Sequence, residues 1–175
     1  MMTKKEQGFT LLEVMLAVAI FSFLLLMVAQ IMNGEIRMIN IATRQNELEQ
    51  KARTAMMHVR DELKLNRYTL FKEDTQGSGV YIKEPSQPEK CLIYIPTADV
   101  DIDNLPYGTT IYYQRNERKL WYRQGSTDYL IADNIYEIKI SQDVPGRQLL
   151  KIYIHAKEDA SSKTDYELLT WSRMY

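Results

Sequence analysis

The sequence is short of cysteine, histidine and proline, and it carries almost no net charge. A single cysteine, Cys91, excludes an intrachain disulfide and any cysteine-rich metal module. His58 and His155 are the only histidines, which leaves little material for a zinc site. No proline precedes Pro85, so nothing of that kind breaks a helix in the first half of the chain. The 22 Lys and Arg residues nearly balance the 23 Asp and Glu, for a net charge of −1. That balance gives no bulk attraction to nucleic acid or anionic lipid and excludes a polybasic binder. Hydrophobic residues make up 45% of the chain, too many for a disordered one.

Charge is also missing locally. Between Glu13 and Glu35 lie 21 residues without one charged side chain. As a helix rising 1.5 Å per residue they span about 32 Å, close to the ~30 Å hydrocarbon core of a bilayer. The run is longer than the roughly 7–15 residues of an ordinary secretory signal, and the small-residue site Ala17-Val18-Ala19 is followed by more apolar residues. Without a cysteine nearby, lipoprotein anchoring is excluded. Lys4 and Lys5 place the N-terminus on the cytoplasmic side and the remainder of the chain across the membrane.

Beyond Glu35 the pattern becomes amphipathic. Leu48, Ala52, Met56, Val59 and Leu63 fall on one helical face, with Arg44, Glu47, Lys51, Arg53, Arg60 and Asp61 opposite. One helix is therefore predicted from about Phe9 to about Leu65. Short apolar or alternating runs follow, separated by turn signals. They predict strands at 80–83, 91–95, 110–114, 120–123, 129–131, 135–140, 149–156 and 166–171, with 84–89 as a loop. Cys91 is expected to share a buried strand face with Ile93 and Ile95. The expected fold is α+β: a long N-terminal helix packed on an antiparallel β-sheet.

The segment KKEQGFTLLEVMLAVAIFSFLLL resembles the type IV prepilin signature: a basic leader ending in Gly8, then Phe9, Thr10, Leu11, Leu12, Glu13 and a continuous apolar run. The resemblance implies a type IV pilin fold and four segments: a leader at 1–8, a transmembrane helix at 9–34, its amphipathic continuation at 35–65 and an extracytoplasmic β-rich domain at 66–175. It also implies cleavage between Gly8 and Phe9 by a membrane prepilin peptidase, with N-methylation of Phe9. Glu13 would then pair with the N-terminal amine of a neighbouring subunit during assembly. The physics agrees, since a carboxylate inside the bilayer costs about 2.5–3.5 kcal/mol unless it is paired.

A second, more diffuse resemblance covers the C-terminal region. Leu120-Trp121-Tyr122-Arg123, followed by Leu130 and Ile135, is similar to the J-type pseudopilins of type II secretion, the W-type minor pilins and a competence pilin. The helix end ARTAMMHVRDELK, with Arg60, Asp61 and Leu63, resembles theirs too. The absent C-terminal cysteine pair speaks against a disulfide-closed major pilin, and Glu13 speaks against the tip-capping pseudopilin type, which lacks it.

The resulting expectation is a structural subunit, a minor pilin or pseudopilin and not an enzyme. It would sit in the cytoplasmic (inner) membrane as a single-pass protein and then in a pilus or pseudopilus, at the tip. Expected partners are other pilin subunits, the prepilin peptidase, a membrane assembly platform and the lipid bilayer, with no direct contact to nucleic acid. No cofactor or metal is expected. Asp99, Asp101 and Asp103 imitate the start of a calcium loop, but Asn104 stands where that loop needs glycine and Thr110 where it needs glutamate. His58 with Asp61 and Glu62 lacks a nucleophile and reads as a solvated helix face. The alternatives are an adhesive or ligand-binding tip subunit, and a membrane-tethered binding domain that never polymerises.

Overall fold

A computed structural model of the chain describes residues 10–65, 70–73, 79–99, 103, 105–142, 149–159 and 161–173. Helix α1 spans Leu11–Leu65. Nine strands follow: β1 (Leu70–Glu73), β2 (Gly79–Glu84), β3 (Gln87–Pro96), β4 (Ile111–Gln114), β5 (Lys119–Gln124), β6 (Thr127–Ala132), β7 (Ile135–Gln142), β8 (Leu149–Lys157) and β9 (Asp165–Arg173). The chain divides into two compact units, one ending at Thr43 and one from Arg44 onward.

The first unit is helical. Its helix starts where the carbonyl of Thr10 accepts the amides of Glu13 (3.0 Å) and Val14 (3.2 Å). No proline interrupts it, no charge falls between Glu13 and Glu35, and Gly34 is accommodated within it. The Ser22 hydroxyl, a polar group within the apolar run, donates to the Val18 carbonyl one turn back at 2.8 Å. Its hydrogen bond is thereby satisfied inside the segment.

The second unit is α+β, as expected, with a long helix followed by mostly antiparallel strands. Leu48, Ala52, Met56, Val59 and Leu63 are all buried, and Ala55 joins them. They pack against Ile82, Leu92, Ile111, Leu120, Ile138, Ile152 and Ile154 in one core. The two small residues, Ala52 and Ala55, allow helix and strands a close approach.

The strands form two sheets where one was expected. Six are ordered β1 to β6 in sequence, and three form the antiparallel meander β7-β8-β9. Within the larger sheet β3 and β4 run parallel, with Ile93 opposite Ile111 and Tyr94 opposite Tyr112, while the other pairs are antiparallel. Segment 84–89 is not a loop. β2 runs to Glu84 and β3 starts at Gln87, leaving a tight turn at Pro85-Ser86. Lys83 faces Cys91 while Glu84 faces Gln87, so Pro88 falls among residues of β3 that have no partner on β2. Proline, which has no amide to donate, fits such an irregularity.

Cys91 is buried, but not on the face of Ile93 and Ile95. Ile82 pairs with Ile93 and Lys83 with Cys91, which leaves Leu92 as an extra residue. That bulge reverses the alternation. Leu92, Ile93 and Ile95 enter the main core. Cys91 joins Tyr94 and Tyr112 in a second cluster, bordered by Tyr81, Leu105 and Trp121.

Candidate functional site

The segment that carries the prepilin-like residues is an apolar helix with no cover of its own. Every residue from Leu11 to Thr43 is exposed. Leu16, Ile20, Phe23, Leu24, Met27 and Ile31 are each more than half exposed or close to it. A soluble protein does not leave such a surface in water. Among the described residues, α1 is the one helix long and apolar enough to cross a membrane.

Glu13 lies in the first turn of this helix. Among the described residues it has no ion-pair partner, and its neighbours Leu11, Leu12, Val14 and Met15 are all exposed apolar side chains. Gly8 and Phe9, the expected cleavage and methylation sites, lie outside the described residues. Thr10-Leu11-Leu12-Glu13 also carries the sequence pattern of a helix start, with Glu13 three residues after Thr10, although the bonds formed there are those of the Glu13 and Val14 amides to the Thr10 carbonyl. A carboxylate there also meets the positive end of the helix dipole, worth about 0.3–1 kcal/mol. Glu13 therefore has a local use at the helix start, beside any use between subunits.

A model of the prokaryotic N-terminal methylation motif matches residues 3–29. The chain carries a prepilin-type signal. With the long apolar helix behind it, the match supports a type IV pilin-like protein. It implies processing by a prepilin peptidase, assembly with other pilin subunits and anchoring in a membrane. No curated protein and no solved structure matches the chain.

The remaining candidates are dispersed. Asp99 and Asp103 are exposed, and Asp101 lies outside the described residues. His58 and Asp61 are exposed on α1, where Asp61 lies 4.0 Å from Arg60. The Cys91 thiol donates to the Ile93 carbonyl at 3.4 Å, and burial pushes its pKa up to about 11. A thiol so held is neutral and inert at ordinary pH.

Two features of the β strands were not found by sequence reasoning. Arg123 grips Asp128 with two hydrogen bonds, Nε to Oδ1 at 2.7 Å and Nη2 to Oδ2 at 2.9 Å, across the β5–β6 hairpin. Hydrogen bonding from Arg123 holds the Asp128 carboxyl below its ordinary range. Beside this pair an open cleft of about 770 Å³ is lined by Gln87, Lys90, Tyr107, Thr109 and Arg123. The second feature is His155, which lies beside Asp165 and Glu167 on the three-stranded sheet.

Proposed function

We propose that the chain is a minor pilin or pseudopilin, a structural subunit that joins or initiates a type IV pilus-like filament. The observation that carries this reading is Glu13, an acidic residue within a methylation motif and in the first turn of α1, followed by 21 uncharged and wholly exposed residues. Apolar helix faces bundle in the filament, and the carboxylate takes an ammonium partner that its own described residues do not supply. Gly8 and Phe9 are the cleavage and methylation positions under this reading. The β-rich region lies outside the cytoplasmic membrane, the helix crosses it once, and the subunit works at or near the tip. Nothing in this role calls for catalysis. The likeness of Leu120-Trp121-Tyr122-Arg123 to secretion, minor and competence pilins supports the minor role and leaves the three machines as alternatives.

The deciding experiment is cross-linking in membranes of cells that hold the peptidase and the partner pilins. The processed subunit is expected in complexes with other pilins. A processed chain that stays monomeric in those membranes would leave only a tethered binding domain. The open cleft beside Arg123 favours a second reading, a tip subunit that binds a ligand, since it offers both charged and hydroxyl groups.

A further inference from the structure

His155 occupies the middle strand of the three-stranded sheet and is hemmed in by acids. Glu137 on β7 and Glu167 on β9 stand directly opposite it on either side. Asp165 approaches diagonally, its Oδ2 lying 3.2 Å from His155 Nε2. One donor atom each from His155, Asp165 and Glu167 lies within 4.8 Å of the others. Two paired strands, β8 and β9, fix these positions, so the grouping does not depend on a loop.

The charges around the imidazole do not balance. Glu137 has its own cation, Lys139 Nζ at 2.8 Å. Lys157 stands opposite Asp165 in the ladder, yet its ammonium lies over the Tyr136 ring, 5.9 Å from the centroid. Among the described residues, no lysine or arginine forms an ion pair with Asp165 or Glu167. Two carboxylates therefore share one histidine, and a protonated imidazole can neutralise only one of them.

We propose that His155, Asp165 and Glu167 form a binding site for a divalent transition-metal ion, with zinc as the best-fitting class. One imidazole and two carboxylates are a borderline donor set that zinc accepts and that calcium, which takes oxygen ligands, does not need. Two ligand atoms each about 2.1 Å from a tetrahedral zinc lie about 3.4 Å apart, and the His155–Asp165 separation already matches this. Glu167 is exposed and has rotatable side-chain bonds with which to close the longer gap. The orientation of the ligands is supported from behind. Tyr153 lies within interaction range of Glu167, and the Tyr136 ring meets the His155 ring edge-on at 5.4 Å. Hydrogen bonding to a ligating carboxylate is the usual supporting contact of a metal site. A bound ion would clamp β8 to β9, the outermost strand of its sheet, and keep coordination positions open toward solvent. This departs from the sequence expectation of no metal, because β8 and β9 bring together residues ten and twelve positions apart that carry no spacing motif.

The test is isothermal titration of zinc into the full chain in detergent micelles, without an affinity tag. The wild type and His58→Gln are expected to bind one equivalent. His155→Gln is expected to lose stoichiometric binding, Glu167→Gln to weaken it strongly, and Tyr153→Phe to weaken it about 10- to 100-fold. Excess calcium is expected to leave zinc binding unchanged. The proposal is overturned if the wild type takes up no stoichiometric zinc, if His155→Gln binds as the wild type does, or if calcium displaces the ion. Should His155→Gln misfold by circular dichroism, the exposed Glu167→Gln decides: unchanged affinity there overturns the site.

Discussion

The Tyr113 hydroxyl, on β4 of the six-stranded sheet, reaches the carbonyl of Ile135 at 2.7 Å and that of Tyr136 at 2.9 Å, at the start of β7 in the other sheet. The amide of the same Ile135 donates to the Arg118 carbonyl at 2.9 Å. Both backbone groups of Ile135 are thus spent on the seam between the two sheets. Tyr113 and Ile135 are almost fully buried, so water cannot replace these bonds. Tyr113→Phe keeps the ring and removes the hydroxyl. It is expected to destabilise the fold by about 1–2 kcal/mol, because a buried carbonyl loses its donor. Urea unfolding of the two proteins, compared at equal slope, measures this, and an unchanged midpoint would deny the seam its role.

The same burial predicts sensitivity to alkali. Burial pushes Tyr112, Tyr113 and Tyr153 up to about 12 and Cys91 up to about 11, from ordinary values of 10.0 and 9.0. For each group the folded chain holds a proton that the unfolded chain releases. The associated stability is complete below about pH 9 and is lost as pH rises from there through 12. Denaturation midpoints at pH 8, 10 and 11 are expected to fall in that order. Tyr113→Phe is expected to fall less steeply than the wild type above pH 10, since one of the linked groups is gone.

The helix and most strands were legible because a single periodicity governs each. Leu48, Ala52, Met56, Val59 and Leu63 keep helical spacing against one core, and the strands from β4 onward begin and end near their turn residues. Three features were not legible, each for a physical reason. Strand β1, Leu70-Phe71-Lys72-Glu73, pairs two apolar with two charged residues and so shows neither an apolar run nor an alternation. The bulge at Leu92 inverts the faces of β3, and a bulge leaves no trace in a pattern of period two. The parallel pairing of β3 with β4 and the split into two sheets arise from contacts distant in sequence. Of the candidate site, Glu13 was legible from its isolation in an apolar run. The convergence of His155, Asp165 and Glu167 was not, because it exists only in the β8–β9 register.

Processing is expected at the bond between Gly8 and Phe9. Cells with an active prepilin peptidase should yield a mature chain that begins at methylated Phe9, identified by intact mass and N-terminal peptide sequencing. The lost segment contains two of the 22 basic residues, Lys4 and Lys5, and one of the 23 acidic residues, Glu6, which moves the side-chain charge from −1 to −2. A bulky residue in place of Gly8 should leave the leader attached. A mature terminus after Ala19 would instead make the apolar run a conventional signal, with most of the helix's uncharged stretch still attached to the product.

Glu13 can be tested in a way that separates its two uses. Its place three residues after Thr10, in the first turn of α1, suits a helix start, where glutamine serves nearly as well. As a carboxylate set in the bilayer and paired with an ammonium of another subunit it would need its charge, and glutamine does not serve. Glu13→Gln is therefore expected to keep leader cleavage, helix content and the folded β strands, while cross-linking to other pilin subunits falls sharply. Glu13→Leu should show the same assembly loss with a slightly less ordered helix start. Both variants should unfold in urea at the wild-type midpoint, because the core that Leu48 to Leu63 build with the strands does not include Glu13. Cross-linking at the wild-type level in Glu13→Gln would reduce Glu13 to a helix cap and remove the charge from the account of assembly.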